Sequence, residues 1–190
     1  MTLEEPKSKE KLTIEVSRQS PEDVEGVTNV YYQSWLATYP NEKAGVTRED
    51  VEHKFKNAFT EEGLAKRKNH IENRRENELS LMAKENGKVV GVCGVVREDG
   101  ANRLRTIYVL PEYQGKGVGS RLWEEARKFL DAHKDTFVEV VDYNQNAIDF
   151  YKRKGFVDTG KRYQDEKFRM KSGAVFTEME MIRKAEQTVE

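Results

Sequence analysis

The amino-acid sequence predicts an α/β (α+β) fold with a central, mixed, mostly antiparallel twisted sheet of about seven strands flanked by helices. Three observations carry this prediction. Short segments rich in β-branched and aromatic residues recur along the chain. Charge-dense segments of helical period separate them. A glycine-rich turn, Gln114-Gly115-Lys116-Gly117-Val118-Gly119, joins a strand-like run to a helix-like run.

Residues 1–10 are polar and charged and read as a mobile tail, after which Leu12-Thr13-Ile14-Glu15-Val16 alternates as a half-buried strand does. Ser20-Pro21-Glu22-Asp23 signals a helix start, with Ser20 as N-cap, Pro21 at the first helical position and Asp23 reaching back as in a capping box. Val24, Val27, Tyr31, Trp35 and Tyr39 fall on one face of that helix, and Pro40 ends it. A helical insertion is expected over 41–77, its charge-dense part from 47 onward anchored by Val51, Phe55, Phe59, Leu64 and Ile71. An antiparallel meander follows over 79–84, 89–97 and 103–109, with turns at Glu85-Asn86-Gly87-Lys88 and near Asp99-Gly100. Beyond the glycine turn a helix is expected over 120–133, with Leu122, Ala126, Phe129 and Leu130 as its apolar stripe. A buried strand over 137–141, a short helix over 147–154 capped by Gly155, and strands over 156–163 and 175–182 complete the reading. Residues 11–184 are thus expected to form a single domain, with 185–190 as a C-terminal tail.

Composition narrows the function. Lys and Arg number 33 against 34 Asp and Glu, so no global field draws the chain to nucleic acid or an anionic membrane, and any anion site is local. No apolar run reaches the roughly 18 residues that span a bilayer, and the first residues carry no apolar leader. The single cysteine, Cys93, excludes an intrachain disulfide, sits in a strand-like run, and fits a reducing cytoplasm.

The glycine turn binds an anion. Three glycines clear side chains from the turn, so backbone N–H groups can approach a phosphate, and the following helix adds its positive end. It is no nucleotide-triphosphate loop, because Lys116 is followed by Gly117 and Val118 where Ser or Thr is required. Gly115-x-Gly117-x-x-Ser120 approaches a dinucleotide fingerprint, with Glu139 about where a ribose-binding acid falls, but a meander precedes it where a parallel unit is needed.

Two blocks in order resemble a known family. Gln114-x-x-Gly117-x-Gly119, led in by Ile107-Tyr108-Val109-Leu110-Pro111-Glu112-Tyr113, and Asn144-x-x-Ala147-x-x-Phe150-Tyr151-x-x-x-Gly155-Phe156 are similar to the motifs of the Gcn5-related N-acetyltransferase (GNAT) superfamily over about residues 79–160. The resemblance implies a GNAT fold and transfer of an acetyl group from acetyl-CoA (coenzyme A) to a primary amine within a ternary complex. It implies that Gln114, Gly115, Lys116, Gly117, Val118, Gly119 and Ser120 wrap the coenzyme pyrophosphate. The strand Ile107, Tyr108 and Val109 would splay from its neighbour to pair with the pantetheine arm, and Asn144 would bond the same arm, act as a helix N-cap, or both. Lys116 and Arg121 are candidates for phosphate contacts or solvated side chains.

Tyr151 is the implied proton donor to the leaving thiolate, against the reading of a core aromatic beside Phe150. The acceptor ammonium must lose a proton before attack. The strand glutamate that many members use is replaced here by Arg103, a departure that leaves a catalytically silent coenzyme-binding sensor or docking module as the alternative function. Glu139 matches the base position of other members and is the candidate base through water, or an ordinary strand carboxylate; Asp142 is the weaker candidate. His53, His70 and His133 read as solvated, and no metal site is expected.

Tyr31-Tyr32-Gln33-Ser34-Trp35-Leu36-Ala37-Thr38-Tyr39 resembles the helix of a broad branch that includes PaiA-type polyamine acetyltransferases. Trp35 and Tyr39 would then bind a cationic amine by cation–π contact or anchor the helix to the sheet. The expected partner is a small-molecule amine or a peptide amine, with no nucleic acid and no membrane, for a monomer or homodimer.

Overall fold

The computed structural model of the chain describes residues 13–186; the expected tail 1–10, Leu12 at the head of the first strand, and residues 187–190 of the expected C-terminal tail lie outside the described residues. The order is β1 (Ile14–Arg18), α1 (Val24–Thr38), α2 (Arg48–Lys54), α3 (Glu61–Glu72), β2 (Glu78–Glu85), β3 (Lys88–Arg97), β4 (Asn102–Val109), α4 (Val118–Arg127), β5 (Thr136–Val141), α5 (Gln145–Arg153), β6 (Val157–Gln164) and β7 (Thr177–Arg183). The described strands form one seven-stranded sheet, β1-β2-β3-β4-β5-β7-β6, antiparallel everywhere except between β4 and β5.

The meander forms where the sequence places it. Asn86 and Gly87 both take positive φ, 48° and 81°, the primed turn whose twist matches a tight hairpin. α1 packs over Val89, whose side chain leaves no room for a Cβ at Gly26, while α4 packs over Gly91, whose missing side chain admits Leu122 and Val118. The main core joins Val27 and Val30 of α1, the inward residues of β2 and β3, and Leu122, Trp123 and Ala126 of α4. A second cluster gathers Trp35, Tyr39, Val46, Val51, Val141, Met170 and Phe176 at one end of the sheet.

Three local expectations are corrected. Pro21–Asp23 forms a 3-10 turn ahead of α1, Ser20 makes no side-chain cap, and Asp23 instead pairs with Lys84 at 2.7 Å, so the capping box is absent. The helix expected to reach 133 ends at Arg127. Buried Asn102 explains the early stop: its amide donates to the Asp131 and Lys134 carbonyls, and its Oδ1 accepts from the Asp131 amide, fixing that backbone in a turn. Phe59, expected as an anchor, is exposed and meets only the edge of Tyr32 at 5.7 Å.

Two irregularities in β4 position the cleft. Gly94 faces Thr106 and Val95 faces Leu104, so Arg105 is an extra residue that bulges the strand. On the other side, the parallel pairing with β5 stops at Leu104–Val138, and β4 runs on alone to Val109. From Thr106 to Tyr108 the backbone is therefore bonded to β3 on one edge and paired with no strand on the other, and the Val109 carbonyl accepts from Ser34 Oγ and Gln114 Nε2.

Candidate active site

The open edge of β4 lines a cleft of about 1680 Å³ that runs from the glycine turn, past α5, to the second aromatic cluster. At the turn, Gly115 and Gly117 take φ of 73° and 85°, and a Cβ at either would meet nothing within 4 Å. Backbone conformation, with no packing constraint, requires glycine here. Gly117 is the N-cap of α4, and the first helical bond runs from the Arg121 amide to the Gly117 carbonyl at 3.0 Å. The amides of Val118, Gly119 and Ser120 lie in the first turn, where a helix supplies no acceptor, and these residues line the cleft. Gln114 bonds the Val109 carbonyl at 3.2 Å and ties the turn to the strand. Gly119 packs beside Phe150, where a Cβ would make ordinary van der Waals contact at 3.4 Å, so the turn and α5 adjoin. Lys116 is exposed above the Tyr113 ring, whereas Arg121 reaches away to bond the Ile14 carbonyl at 3.1 Å.

Asn144 caps α5 by accepting from the Ala147 amide at 3.2 Å, and it also lines the cleft. Tyr151, two turns on, is buried at 5% exposure between Phe150 and Phe156 and lines the same cleft. Among the described residues its hydroxyl has no hydrogen-bond partner. Burial, then Tyr108 and Cys93, push the phenol far above its ordinary value, so it stays protonated and keeps a proton to donate. Cys93 is buried in β3, with its thiol pushed up to about 12 by burial.

At the far end, Trp35 and Tyr39 stack edge-on at 4.6 Å, and Phe176 and Phe168 close over them. The Tyr39 and Tyr108 hydroxyls share a hydrogen bond of 3.0 Å. Burial raises both, Tyr108 to about 12, so the pair is neutral. Lys54 lies 5.3 Å above the Trp35 ring, placing a cation of the chain itself on one aromatic face. The connection from β6 to β7, carrying Phe168 and Phe176, is held over this end by Asp50. Asp50 accepts from the Ser172 amide and hydroxyl and from the Thr47 amide and hydroxyl, all at 2.8–2.9 Å. Burial alone would raise this carboxyl, but those bonds outweigh it and hold it at about 2.

Glu139 of β5 faces the cleft and is ion-paired with Arg103 of β4, which also reaches Glu98. The residue that departs from the resembled pattern is thus the ion-pair partner of the candidate base. Asp142, His53, His70 and His133 are exposed, and none of them lines the cleft.

Glu178 was not legible as a site residue. It lines the cleft from β7, opposite Val141 on one side and Tyr163 on the other. Burial, then the charge of Glu139, raise its carboxyl above the ordinary glutamate value. A signal existed: in Thr177–Arg183, Glu178 and Glu180 alternate with Met179 and Met181, which puts the acids on the face away from the methionine core.

A family model described as an acetyltransferase (GNAT) domain matches residues 19–183. Among curated proteins, a thialysine N-epsilon-acetyltransferase of Sus scrofa is 36% identical over 74 residues, which span 38% of this chain and 44% of that protein. The match therefore spans less than half the length of that relative. Among solved structures, the PaiA N-acetyltransferase of Thermoplasma acidophilum, in complex with coenzyme A, superposes with a TM-score of 0.65 at 24% identity, covering 91% of this chain and 99% of its own. The ribosomal-protein-S18-alanine N-acetyltransferase of Escherichia coli gives 0.62 at 16% identity over 94% and 99%. At these identities the likeness is one of fold: the same sheet with the same flanking helices.

Proposed function

The chain belongs to the GNAT acetyltransferase family, and from that membership we propose that it is an acetyl-CoA-dependent N-acetyltransferase acting on a primary amine by direct attack in a ternary complex. The observation that carries this reading is the open edge of β4, which begins where pairing to β5 stops at Leu104 and ends at the glycine turn. An extended amide-bearing arm with a pyrophosphate at one end fits both parts. Peptide-like groups bond Ile107, Tyr108 and Val109 as an added strand would, and the anion meets the amides of Gly115 to Ser120.

Bound there, acetyl-CoA supplies the thioester that the amine attacks. Gln114 and Asn144 hold the turn and the α5 terminus that frame the arm. The Tyr151 phenol, buried and protonated, donates a hydrogen bond to the sulfur as negative charge develops on it. At the opposite end, Trp35 and Tyr39 wall the acceptor pocket, while the negative charges of Glu139 and Glu178 draw in an ammonium, whose proton passes to a carboxylate at this end, directly or through water. The acceptor classes to compare are polyamines, lysine-like ω-amines and peptide N-termini, the first two suggested by the PaiA protein and by the thialysine enzyme. No described helix is long and apolar enough to cross a membrane. The free, buried Cys93 is consistent with a reducing, cytoplasmic setting, which belongs to this reading.

The test is thiol release over a panel of those amines, with acetyl-CoA affinity measured by calorimetry. Turnover on at least one amine is expected. Tight binding with no turnover on any would favour the silent sensor that Arg103 keeps in view.

A further inference from the structure

Glu139 and Glu178 face the acceptor end of the cleft from neighbouring strands, and they differ in what holds them. Glu139 is ion-paired with Arg103, whose guanidinium donates to its Oε1. Glu178, half-buried on β7, has no ion pair and no hydrogen bond among the described residues, yet it lines the cleft with Tyr151. Resting on the transferase reading, we propose that Glu178 is the proton acceptor for the incoming ammonium, and that Glu139, held by Arg103, is a positioning residue that keeps a fixed negative charge beside it.

The groups facing Glu178 support this division. From α1 and β4 come the Tyr39 and Tyr108 hydroxyls, neutral and bonded to each other; from β5, Glu139 with its Arg103 partner; from β6, Tyr163; and from the following connection, Asp165 and Lys167. The Tyr39–Tyr108 hydroxyl pair lines the same cleft as Glu178 and Tyr151.

The step balances. R–NH3+ gives one proton to the Glu178 carboxylate, which becomes the neutral acid. The freed lone pair forms the N–C bond, the C–S bond breaks with its electrons on sulfur, and a second nitrogen proton neutralises the thiolate. Glu178 then returns its proton to water. A neighbour that raises the carboxyl makes it the stronger base, and the negative charge of Glu139 does so.

The experiment compares Glu178→Gln and Glu139→Gln with the parent protein. Profiles of kcat/KM against pH are joined by carboxyl-carbon NMR titration of the free protein, which needs no turnover, and by acetyl-CoA affinity to show that each variant is folded. Glu178→Gln is expected to lower kcat/KM by about a hundredfold or more and to remove the acidic limb of the profile. Glu139→Gln is expected to keep that limb and move it to lower pH, with the Glu178 resonance moving in step, because a raising charge is gone. An acidic limb that survives Glu178→Gln, or that vanishes in Glu139→Gln, overturns the assignment. A parent protein that binds acetyl-CoA and releases no thiol overturns the transferase reading instead, and a Glu178 resonance titrating in the ordinary glutamate range overturns the assignment without reference to turnover.

Discussion

The two halves of the cleft are built by different means. The coenzyme half is made of backbone: the open edge of β4, two glycines at positive φ and the first turn of α4, all within residues 102–127. The acceptor half is made of side chains from distant segments, Trp35 and Tyr39 of α1, Glu139 of β5, Phe168 and Phe176 of the β6–β7 connection, and Glu178 of β7. Backbone recognition needs only a local conformation, so it tolerates change elsewhere. A pocket assembled from remote side chains can be retuned one residue at a time, and on the proposed function it is the half that would set acceptor preference.

The largest effect should come from damaging the backbone half alone. Gly117→Glu places a carboxylate in the anion cradle, and because any side chain strains the backbone at a φ of 85°, Gly117→Ala carries the same strain without the charge and serves as the control. Like-charge opposition costs several kcal/mol, so acetyl-CoA affinity should fall by about a thousandfold in Gly117→Glu and far less in Gly117→Ala, with the two melting temperatures lowered alike. Calorimetry reads it. Affinity within tenfold of the parent would remove the turn from the coenzyme site.

Tyr151→Phe should come next. Loss of one donor to the developing thiolate is expected to lower kcat by about a hundredfold while acetyl-CoA affinity holds. Because burial keeps the phenol protonated, the pH profile should keep its shape between pH 5 and about 9. A lost basic limb would mean that Tyr151 titrates and acts as a true acid.

How much was legible in the sequence follows the same division. The glycine turn, the Asn144 cap and the positive-φ Gly155 are local signals, and the structure has them at those positions. The aromatic cluster was half visible: Trp35 and Tyr39 stood out on α1, but Phe168 and Phe176, far away in sequence, announced nothing. Glu178, half-buried, differs from exposed strand acids through what packs around it, which a linear pattern does not encode. The early end of α4 failed for a related reason, since Asn102 in another strand captures the backbone that helical period alone would have continued.

A smaller effect, confined to the acceptor half, is expected at Asp50. Its carboxyl is held at about 2, so it contributes stability that is present above the ordinary carboxylate range and lost as pH falls toward 2. A shift of this size corresponds to about 2 kcal/mol. Asp50→Asn should lose about that much in denaturant unfolding at pH 7, and the difference from the parent should close near pH 2. The amine KM should rise while acetyl-CoA affinity stays, because Asp50 fastens the Ser172 connection over the aromatic end. A change in both affinities would show that the halves are mechanically one.

The mildest test is Tyr39→Phe, which removes one hydroxyl and nothing else. Tyr108 then keeps a buried hydroxyl without its partner at 3.0 Å, a loss of about 1 kcal/mol on unfolding. If Tyr39 is only a core anchor, that loss is the whole effect, because the ring still stacks on Trp35 and Phe176. If the hydroxyl pair also walls the acceptor path, the amine KM should rise severalfold with acetyl-CoA affinity unchanged. Steady-state kinetics beside an unfolding curve separates the two, since an anchor moves the curve alone and an acceptor wall moves both.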